Sequence, residues 1–399
     1  MNPDFGARLR SELDDMRDRG VYKRLKNIRG RQSAVVQLEE HGEVVNLCSN
    51  NYLGLCDEPS VMHAISEAVE TYGAGTSSVR FICGTFEVHG RLEDALADFT
   101  GTEAAVTYTS CWNANEGLFE PLLGPDDVII SDALNHASII DGIRLARQVH
   151  GTGLEVYQHM DMGSLEEALR KTQDARHRLV ITDGVFSMEG EIAPLPEIRE
   201  LCDRWDAVMA IDDSHATGVL GARGRGTPEH FGMHGEVDIV TSTVGKALGG
   251  MAGGFTAASR EVVDYLIQGS RTQLFTNAIP PHSAAGALAA VRHLDAHPEL
   301  LTKLRDNTAY FRERLLAMGY EPIEGDTPIV PIVIGPTADA IALSDRLLEE
   351  GVFVIGFGYP VVPKGEARVR CQISAAHDRE HLDTALDAME RIGTDLEVI

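Results

Sequence analysis

Lys246 stands in the run Val237-Asp-Ile-Val-Thr-Ser-Thr-Val-Gly-Lys-Ala-Leu-Gly-Gly250, where β-branched apolar residues give way to hydroxyls, one lysine and glycines. Such a run reads as a buried strand whose exit turn carries an amine. An ammonium costs several kcal/mol to bury unless it is neutralised or reacts. A lysine so placed could hold a carbonyl cofactor as a Schiff base. The plain alternative is a solvated loop lysine.

Other chemistry-bearing residues follow other apolar runs. Ala207-Val-Met-Ala-Ile-Asp212-Asp-Ser-His215 ends in two carboxylates and an imidazole. Asp212 could bond a protonated pyridine nitrogen and His215 a ring oxygen, although the same four residues could cap a helix or bind a metal. Thr107-Tyr-Thr-Ser-Cys111-Trp112 leads from a strand towards a helix start, where free N–H groups suit a phosphate. His136 in Ser131-Asp-Ala-Leu-Asn-His136 could stack on a flat ring, or be structural. Ser187 closes Ile181-Thr-Asp-Gly-Val-Phe-Ser187 with a hydroxyl. Arg368 and Arg370 are two apart on one face of a strand, and either could grip a carboxylate; a solvated edge-strand position is the reading for one of them.

These residues need a scaffold that gathers strand ends. Strand patterns recur at Ala104–Tyr108, Val128–Ser131, Leu154–Tyr157, Arg178–Thr182, Ala207–Ile211, Val237–Thr241 and Gly254–Ala258. Helical patterns such as Ser164–Arg176 and Leu195–Trp205 lie between them, and Ser164 with Glu167 reads as a capping box. This alternation predicts a mostly parallel α/β sheet with helices on both faces and ligands beyond its strand ends. The expected division is an N-terminal segment 1–45, a large α/β domain 46–294 and a small α+β domain 295–399. In the last, a helix Leu300–Met318 precedes Ile329–Ile334, Ala338–Glu350 and Val352–Ile355.

With 399 residues and 43% apolar content, the chain can bury a large core, and its apolar runs are too short to span a membrane. The first ten residues lack an apolar signal core, which predicts a cytoplasmic protein. A formal charge of −26 disfavours nonspecific nucleic-acid binding. Only six residues are lysine, a composition that suits either a high-salt interior or an ordinary acidic enzyme. The six cysteines form no C-x-x-C pair and read as reduced thiols rather than a disulfide frame or zinc site. His377 and His381 are four apart without an intervening glutamate in zinc-protease order, and read as surface histidines. Val240 and Ala247 stand where a phosphate-binding P-loop needs glycine and Ser/Thr. Gly221-Ala-Arg-Gly-Arg-Gly226 lacks the strand and helix of a dinucleotide site.

Over nearly its whole length the chain resembles the α-oxoamine synthases, pyridoxal 5'-phosphate enzymes of fold type I. The resemblance rests on Asn50-Asn-Tyr-Leu-Gly54, Leu134-Asn-His-Ala-Ser138, Asp183-Gly-Val-Phe-Ser-Met-Glu-Gly190, Asp212-Asp-Ser-His215, Thr243-Val-Gly-Lys246 and Ala367-Arg-Val-Arg370. It implies an aspartate-aminotransferase-like large domain and a small C-terminal domain. It makes Lys246 the cofactor lysine and Asp212 the partner of the pyridine nitrogen. His136 becomes the stacking histidine and oxyanion donor, with Ser187 and His215 near the ring oxygen. The amides of Cys111 and Trp112, with Thr243, would hold the phosphate. Thr276 and Asn277 would reach the phosphate of a neighbouring subunit, implying a homodimer with shared sites. Asn50 and Arg370 would grip the amino-acid carboxylate.

Within the family, Ser78-Val-Arg-Phe-Ile-Cys-Gly-Thr85, Ser131–Gly142 and Tyr359-Pro-Val-Val-Pro-Lys-Gly365 are most similar to the branch that joins glycine and acetyl-CoA into 2-amino-3-oxobutanoate and CoA. That branch implies threonine catabolism and functional coupling to a threonine dehydrogenase. The alternative is the sister activity that joins alanine to a longer acyl group to give 8-amino-7-oxononanoate, or a mixed specificity. Phe81 and Ile82 are bulky where the acyl chain is expected to matter. Trp112 replaces an expected phenylalanine and Thr276 an expected serine.

Overall fold

The computed structural model describes residues 2–359 and 361–399, so Pro360 of the 359–365 stretch and Met1 lie outside the described residues. Seven strands form the central sheet: β1 Ala104–Tyr108, β2 Val128–Asp132, β3 Gly153–Tyr157, β4 Arg178–Asp183, β5 Val208–Asp212, β6 Ile239–Thr243 and β7 Gly254–Ala258. Their order is β1-β7-β6-β5-β4-β2-β3. From β6 to β3 every pairing is parallel, and β7 runs antiparallel between β6 and β1. This is the mostly parallel sheet that the alternation implies.

Both faces are covered, which is why the strands read as continuous apolar runs. On β4, Leu179 and Ile181 join one buried cluster while Val180 points into another. On β5, Met209 and Ile211 face the second cluster and Ala210 the first. Among the described residues, no helix is long and apolar enough to cross a membrane.

Several expected bounds shift by one residue, the helix expected over Ser164–Arg176 ends at Lys171, and two of the differences have local reasons. β6 begins at Ile239 rather than Val237, because Asp238 spends its carboxylate on the Met209 amide (2.7 Å) and on Arg199 (2.9 Å). Val237 is buried in the core outside the ladder. The helix expected at Ser164 spans Met162–Lys171, and its cap is Asp161, which accepts from the Ser164 amide at 2.9 Å. Ser164 instead accepts from the Gln158 amide through its hydroxyl, so the capping box does not form.

In the C-terminal third, β8 Ile329–Gly335, β9 Ile355–Phe357 and β10 Ala367–Gln372 form an antiparallel sheet in the order β8-β10-β9. Helices Glu299–Met318, Thr337–Glu349 and Arg379–Asp395 accompany it. β10 is therefore central, and the solvated edge position expected for one of its arginines is not found. Arg368 is buried against Glu189 at 3.1 Å, and Arg370 is half-buried. His377 corrects another expectation. It is buried, not at the surface, accepting from the Ser374 amide at 3.0 Å and lying 3.1 Å from the Asn46 carbonyl. His381 accepts from the Asp378 amide at the start of the last helix.

The chain's start is tied to this C-terminal layer. Gly42–Asn46 runs parallel to Val352–Phe353, and the Gln372 amide donates to the Leu47 carbonyl at 2.8 Å. Tyr52 is thereby carried to the side of β10.

Candidate active site

Parallel pairing sets the site. Asp183 at the end of β4 is in register with Asp212 at the end of β5, and Asp212 with Thr241 of β6. Antiparallel β7 starts at this same edge, with Gly254 in register with Thr243 and with Tyr108. A cavity of about 230 Å³ opens there. It is lined by Cys111, Trp112, His136, Ser187, Asp212, His215, Thr243 and Lys246, all singled out from sequence, together with Ser138, Asp183, Val185 and Ser214.

Lys246 projects into the cavity three residues beyond β6 and makes no hydrogen bond or ion pair among the described residues. Burial lowers its pKa from the ordinary lysine value, opposed by the attraction of Asp212. A larger fraction of neutral amine follows, which is the form that attacks a carbonyl or takes a proton.

Asp212 is held from two sides. Its Oδ1 accepts from the Ser214 amide at 3.0 Å, and its Oδ2 from Nδ2 of Asn115 at 2.6 Å. Asn115 is completely buried and also donates to Ser138 (2.9 Å) while accepting from Thr241 (2.7 Å). Each bond fixes the carboxylate's direction at the strand end. Ser214 and Thr241, neighbours of Asp212 in chain and in register, are thus part of the same brace.

His136 caps the helix Ala137–His150, and its backbone N–H donates to Asp183 at 3.0 Å. Its ring bonds Ser138 Oγ at 2.7 Å and meets Trp112 edge to face at 6.0 Å. Burial lowers the His136 pKa, and burial with the nearby Lys246 drives that of His215 well below the usual value. Both shifts favour the neutral imidazole. Burial and the neighbouring Asp212 charge push the Asp183 carboxyl well above the usual carboxylate range.

The helix Cys111–Leu122 starts at the cavity, with Ser110 capping it by accepting from the Asn113 amide at 3.2 Å. That leaves the first amides, at Cys111 and Trp112, directed out of the helix as anion donors. A Cβ at Gly254 would lie 2.5 Å from Cys111 Cα, and closer still to Cys111 N and Ser110 C. Only glycine lets β7 pass under this helix start. Thr243 Oγ1 accepts from the Gly245 amide and donates to the Gly253 carbonyl, both at 2.9 Å.

Arg370 approaches from the small sheet, donating from Nη1 to the Ser187 carbonyl at 2.8 Å. Asn50 lies nearby through Tyr52, whose hydroxyl is 3.5 Å from its Oδ1. Thr276 and Asn277 do not line this cavity, and Asn277 is exposed. Phe275 beside them is exposed and meets exposed Phe81 edge to face at 6.5 Å.

The donor set fits pyridoxal 5'-phosphate. It offers an amine for the carbonyl, a braced carboxylate for the ring nitrogen, a neutral imidazole for the ring face and amides for the phosphate. The buried Ser214 hydroxyl has no hydrogen-bond partner among the described residues and lines the same cavity. Asn115, Asp183 and Tyr52 were given no role from sequence. Asn115 could have been found as one helical turn beyond Cys111, and Asp183 as a strand-end carboxylate one strand from Asp212.

Comparison with known proteins agrees with this geometry. The family model for aminotransferase class I and II matches residues 42–389, and the chain belongs to that family, with the fold type I architecture. A Sphingomonas wittichii serine palmitoyltransferase is 30% identical with a TM-score of 0.92, covering 98% of both chains. A structure of SPT with PLP internal aldimine gives the same three values. Among curated relatives, the 2-amino-3-ketobutyrate coenzyme A ligase of Salmonella typhimurium is 45% identical over the full length of both chains. The 8-amino-7-oxononanoate synthase of Exiguobacterium sibiricum is 46% identical over 98% of this chain and 99% of its own.

Proposed function

We propose that the protein is a pyridoxal-phosphate-dependent glycine C-acetyltransferase, which condenses glycine with acetyl-CoA to 2-amino-3-oxobutanoate and CoA and runs in reverse during threonine breakdown. The observation that carries this reading is the single cavity in which Lys246 stands with Asp212 and His136 at the sheet's edge. Full-length similarity to 2-amino-3-ketobutyrate coenzyme A ligases supports the substrate pair.

When bound, pyridoxal phosphate would supply an electrophilic carbonyl for an amine and an electron-withdrawing ring that acidifies the adjacent Cα–H bond. The chain supplies the rest. Asp212 holds the proton on the ring nitrogen, and its brace by Asn115 and Ser214 keeps the carboxylate aimed. The amides of Cys111 and Trp112, with Thr243, hold the phosphate. His136 would lie against the ring, and Ser187 and His215 would bond its oxygen. Arg370 and Asn50 grip the carboxylate of glycine, orienting its Cα–H bond towards Lys246. The Lys246 amine removes that proton as general base. His136 then donates to the thioester oxygen as the new carbon–carbon bond forms and CoA leaves.

We read residues 46–294 as the cofactor-binding unit and 295–399 as the domain that brings Arg370. Thr276 and Asn277 lie outside their own cavity, which supports a homodimer in which they reach the phosphate of the other subunit. The exposed Phe81–Phe275 pair beside them would then be covered. Six free cysteines suit a reducing cytoplasm. A threonine dehydrogenase is the partner that would supply the keto acid for the reverse direction.

A second reading, 8-amino-7-oxononanoate synthase or a mixed specificity, is favoured by the equal similarity to synthases of that name. CoA release measured with glycine plus acetyl-CoA, against alanine plus a pimeloyl donor, separates the two. Faster turnover of glycine and acetyl-CoA is expected; exclusive use of the pimeloyl donor would reject the first reading.

A further inference from the structure

Between Arg370 and His215 runs a chain of buried hydrogen bonds that the mechanism above does not use. Arg370 sits beside Gln372 on β10, Gln372 beside Tyr52, and Tyr52 Oη lies 2.8 Å from Nδ1 of His215. Tyr52 and Gln372 are both 0% exposed, so water cannot replace any link.

The direction of every bond follows from one end. A guanidinium only donates. Gln372 must therefore turn its amide oxygen to Arg370, where it accepts from Nε at 3.0 Å and Nη2 at 3.3 Å. Its NH₂ then donates to Tyr52 Oη at 3.0 Å. The phenol's one proton has two acceptors in reach, Asn50 Oδ1 at 3.5 Å and His215 Nδ1 at 2.8 Å, and the much shorter contact assigns it to His215 Nδ1, which accepts it. A neutral imidazole that accepts at Nδ1 carries its proton on Nε2, the nitrogen left for the cavity that His215 lines. The same chain fixes Arg370. Of its five N–H groups, two go to Gln372 and one to the Ser187 carbonyl, leaving one on each terminal nitrogen for a bidentate carboxylate.

We propose that Tyr52 and Gln372 are positioning residues: they lock His215 as the Nε2–H tautomer facing the cavity and orient the free edge of Arg370, so that one relay sets both the donor to the ring oxygen and the grip on the substrate carboxylate. This rests on the reading of the cavity as a pyridoxal-phosphate site with Arg370 as its carboxylate clamp.

The isosteric substitution Gln372→Glu tests the polarity. A carboxylate accepts from both neighbours, so Tyr52 turns its proton to Glu and His215 must present an N–H to the phenol oxygen. The measurement is ¹⁵N NMR of histidine-labelled full-length protein, with and without cofactor, the His215 signals being identified by their loss in His215→Asn. Wild type is expected to carry the proton on Nε2, Gln372→Glu on Nδ1, and Tyr52→Phe to exchange between the two. In glycine turnover, Tyr52→Phe is expected to lower kcat about tenfold, the worth of about one hydrogen bond, with KM for glycine within about twofold. An unchanged His215 tautomer in Gln372→Glu or in Tyr52→Phe overturns the relay. If Gln372→Glu does not fold, the Tyr52→Phe spectrum decides alone. Absence of glycine turnover in the wild type would defeat the functional reading, while the tautomer pattern would still decide the relay.

Discussion

Replacing Gly254 by alanine adds one methyl group behind the cavity and, within the site, should act on the cofactor's phosphate. Built on the existing backbone, the new Cβ would lie 2.5 Å from Cys111 Cα and nearer to Cys111 N and Ser110 C. Real Cβ contacts below 3.0 Å essentially do not occur, so the helix start must retreat by at least about half an ångström. The neighbours are backbone, with no flexible side chain to absorb the shift. Hydrogen bonds from Cys111 and Trp112 to a phosphate would lengthen beyond useful range, each worth about 1.5–3 kcal/mol to a charged group. Losing one of them, about 1.5–3 kcal/mol, raises the Kd for pyridoxal phosphate roughly 10- to 150-fold. Overpacking should also cost about 1–3 kcal/mol of fold stability. Absorbance titration of cofactor-free protein measures the first effect and thermal melting the second. Pyridoxal, which lacks the phosphate, is the control and should bind both proteins within about twofold. Wild-type affinity for pyridoxal phosphate in Gly254→Ala would refute the phosphate assignment of this helix start.

Three further outcomes follow from the site and its surroundings. Asn115→Ala strips Asp212 of a 2.6 Å bond and takes one partner each from Ser138 and Thr241, which keep His136 and the Ile211 carbonyl, so it should cost about 1–3 kcal/mol in thermal melts and weaken cofactor binding; an unchanged melt would mean the brace is idle. Arg370→Gln removes the two free guanidinium donors and should raise KM for glycine about 100-fold with a smaller fall in kcat, and an unchanged KM would move the carboxylate elsewhere. His159 lies 2.9 Å from Asp132 and 3.0 Å from Glu191; burial pulls its pKa down, but the two carboxylates outweigh that and raise it to about 9. A raised histidine pKa stabilises the fold fully below its unfolded value, about 6.5, and the gain is lost as pH rises through 9. Folding stability should therefore fall between pH 6.5 and 9, by about 2 kcal/mol after discounting for partial exposure, seen as a falling melting temperature, and His159→Gln should flatten that slope; an unaltered slope in the variant would rule out His159 as its source.

Most of the sheet was legible because buried parallel strands write themselves as apolar runs bounded by polar turns. Ala104–Tyr108 and Gly254–Ala258 coincide with their expected bounds. Val237 misled because burial and strand pairing are different things: Val237 packs into the core, but Asp238 is engaged by Met209 and Arg199 before the ladder starts. The cap at Asp161 was missed because Ser164 offers the same chemistry three residues on, and only the loop's path decides between them. Lys246, Asp212 and His136 were readable as strand-end residues whose types suit one cofactor, and they do meet in one cavity. Asn115 and Tyr52 were not readable as partners of Asp212 and His215, since their contacts span 97 and 163 residues of sequence. The arginines misled in the opposite sense. Two charges on a strand suggest an edge, yet β10 is central, paired on either side by β8 and β9, and Glu189 and the Ser187 carbonyl meet its two charges.

The central claim is that Lys246 carries the cofactor. Purified protein saturated with pyridoxal phosphate, reduced with borohydride, digested and read by mass spectrometry tests it most directly. The expected result is one phosphopyridoxyl adduct per chain on the peptide containing Lys246, absent from Lys246→Ala. An adduct on any other lysine, or none in a protein that turns over glycine, would contradict it.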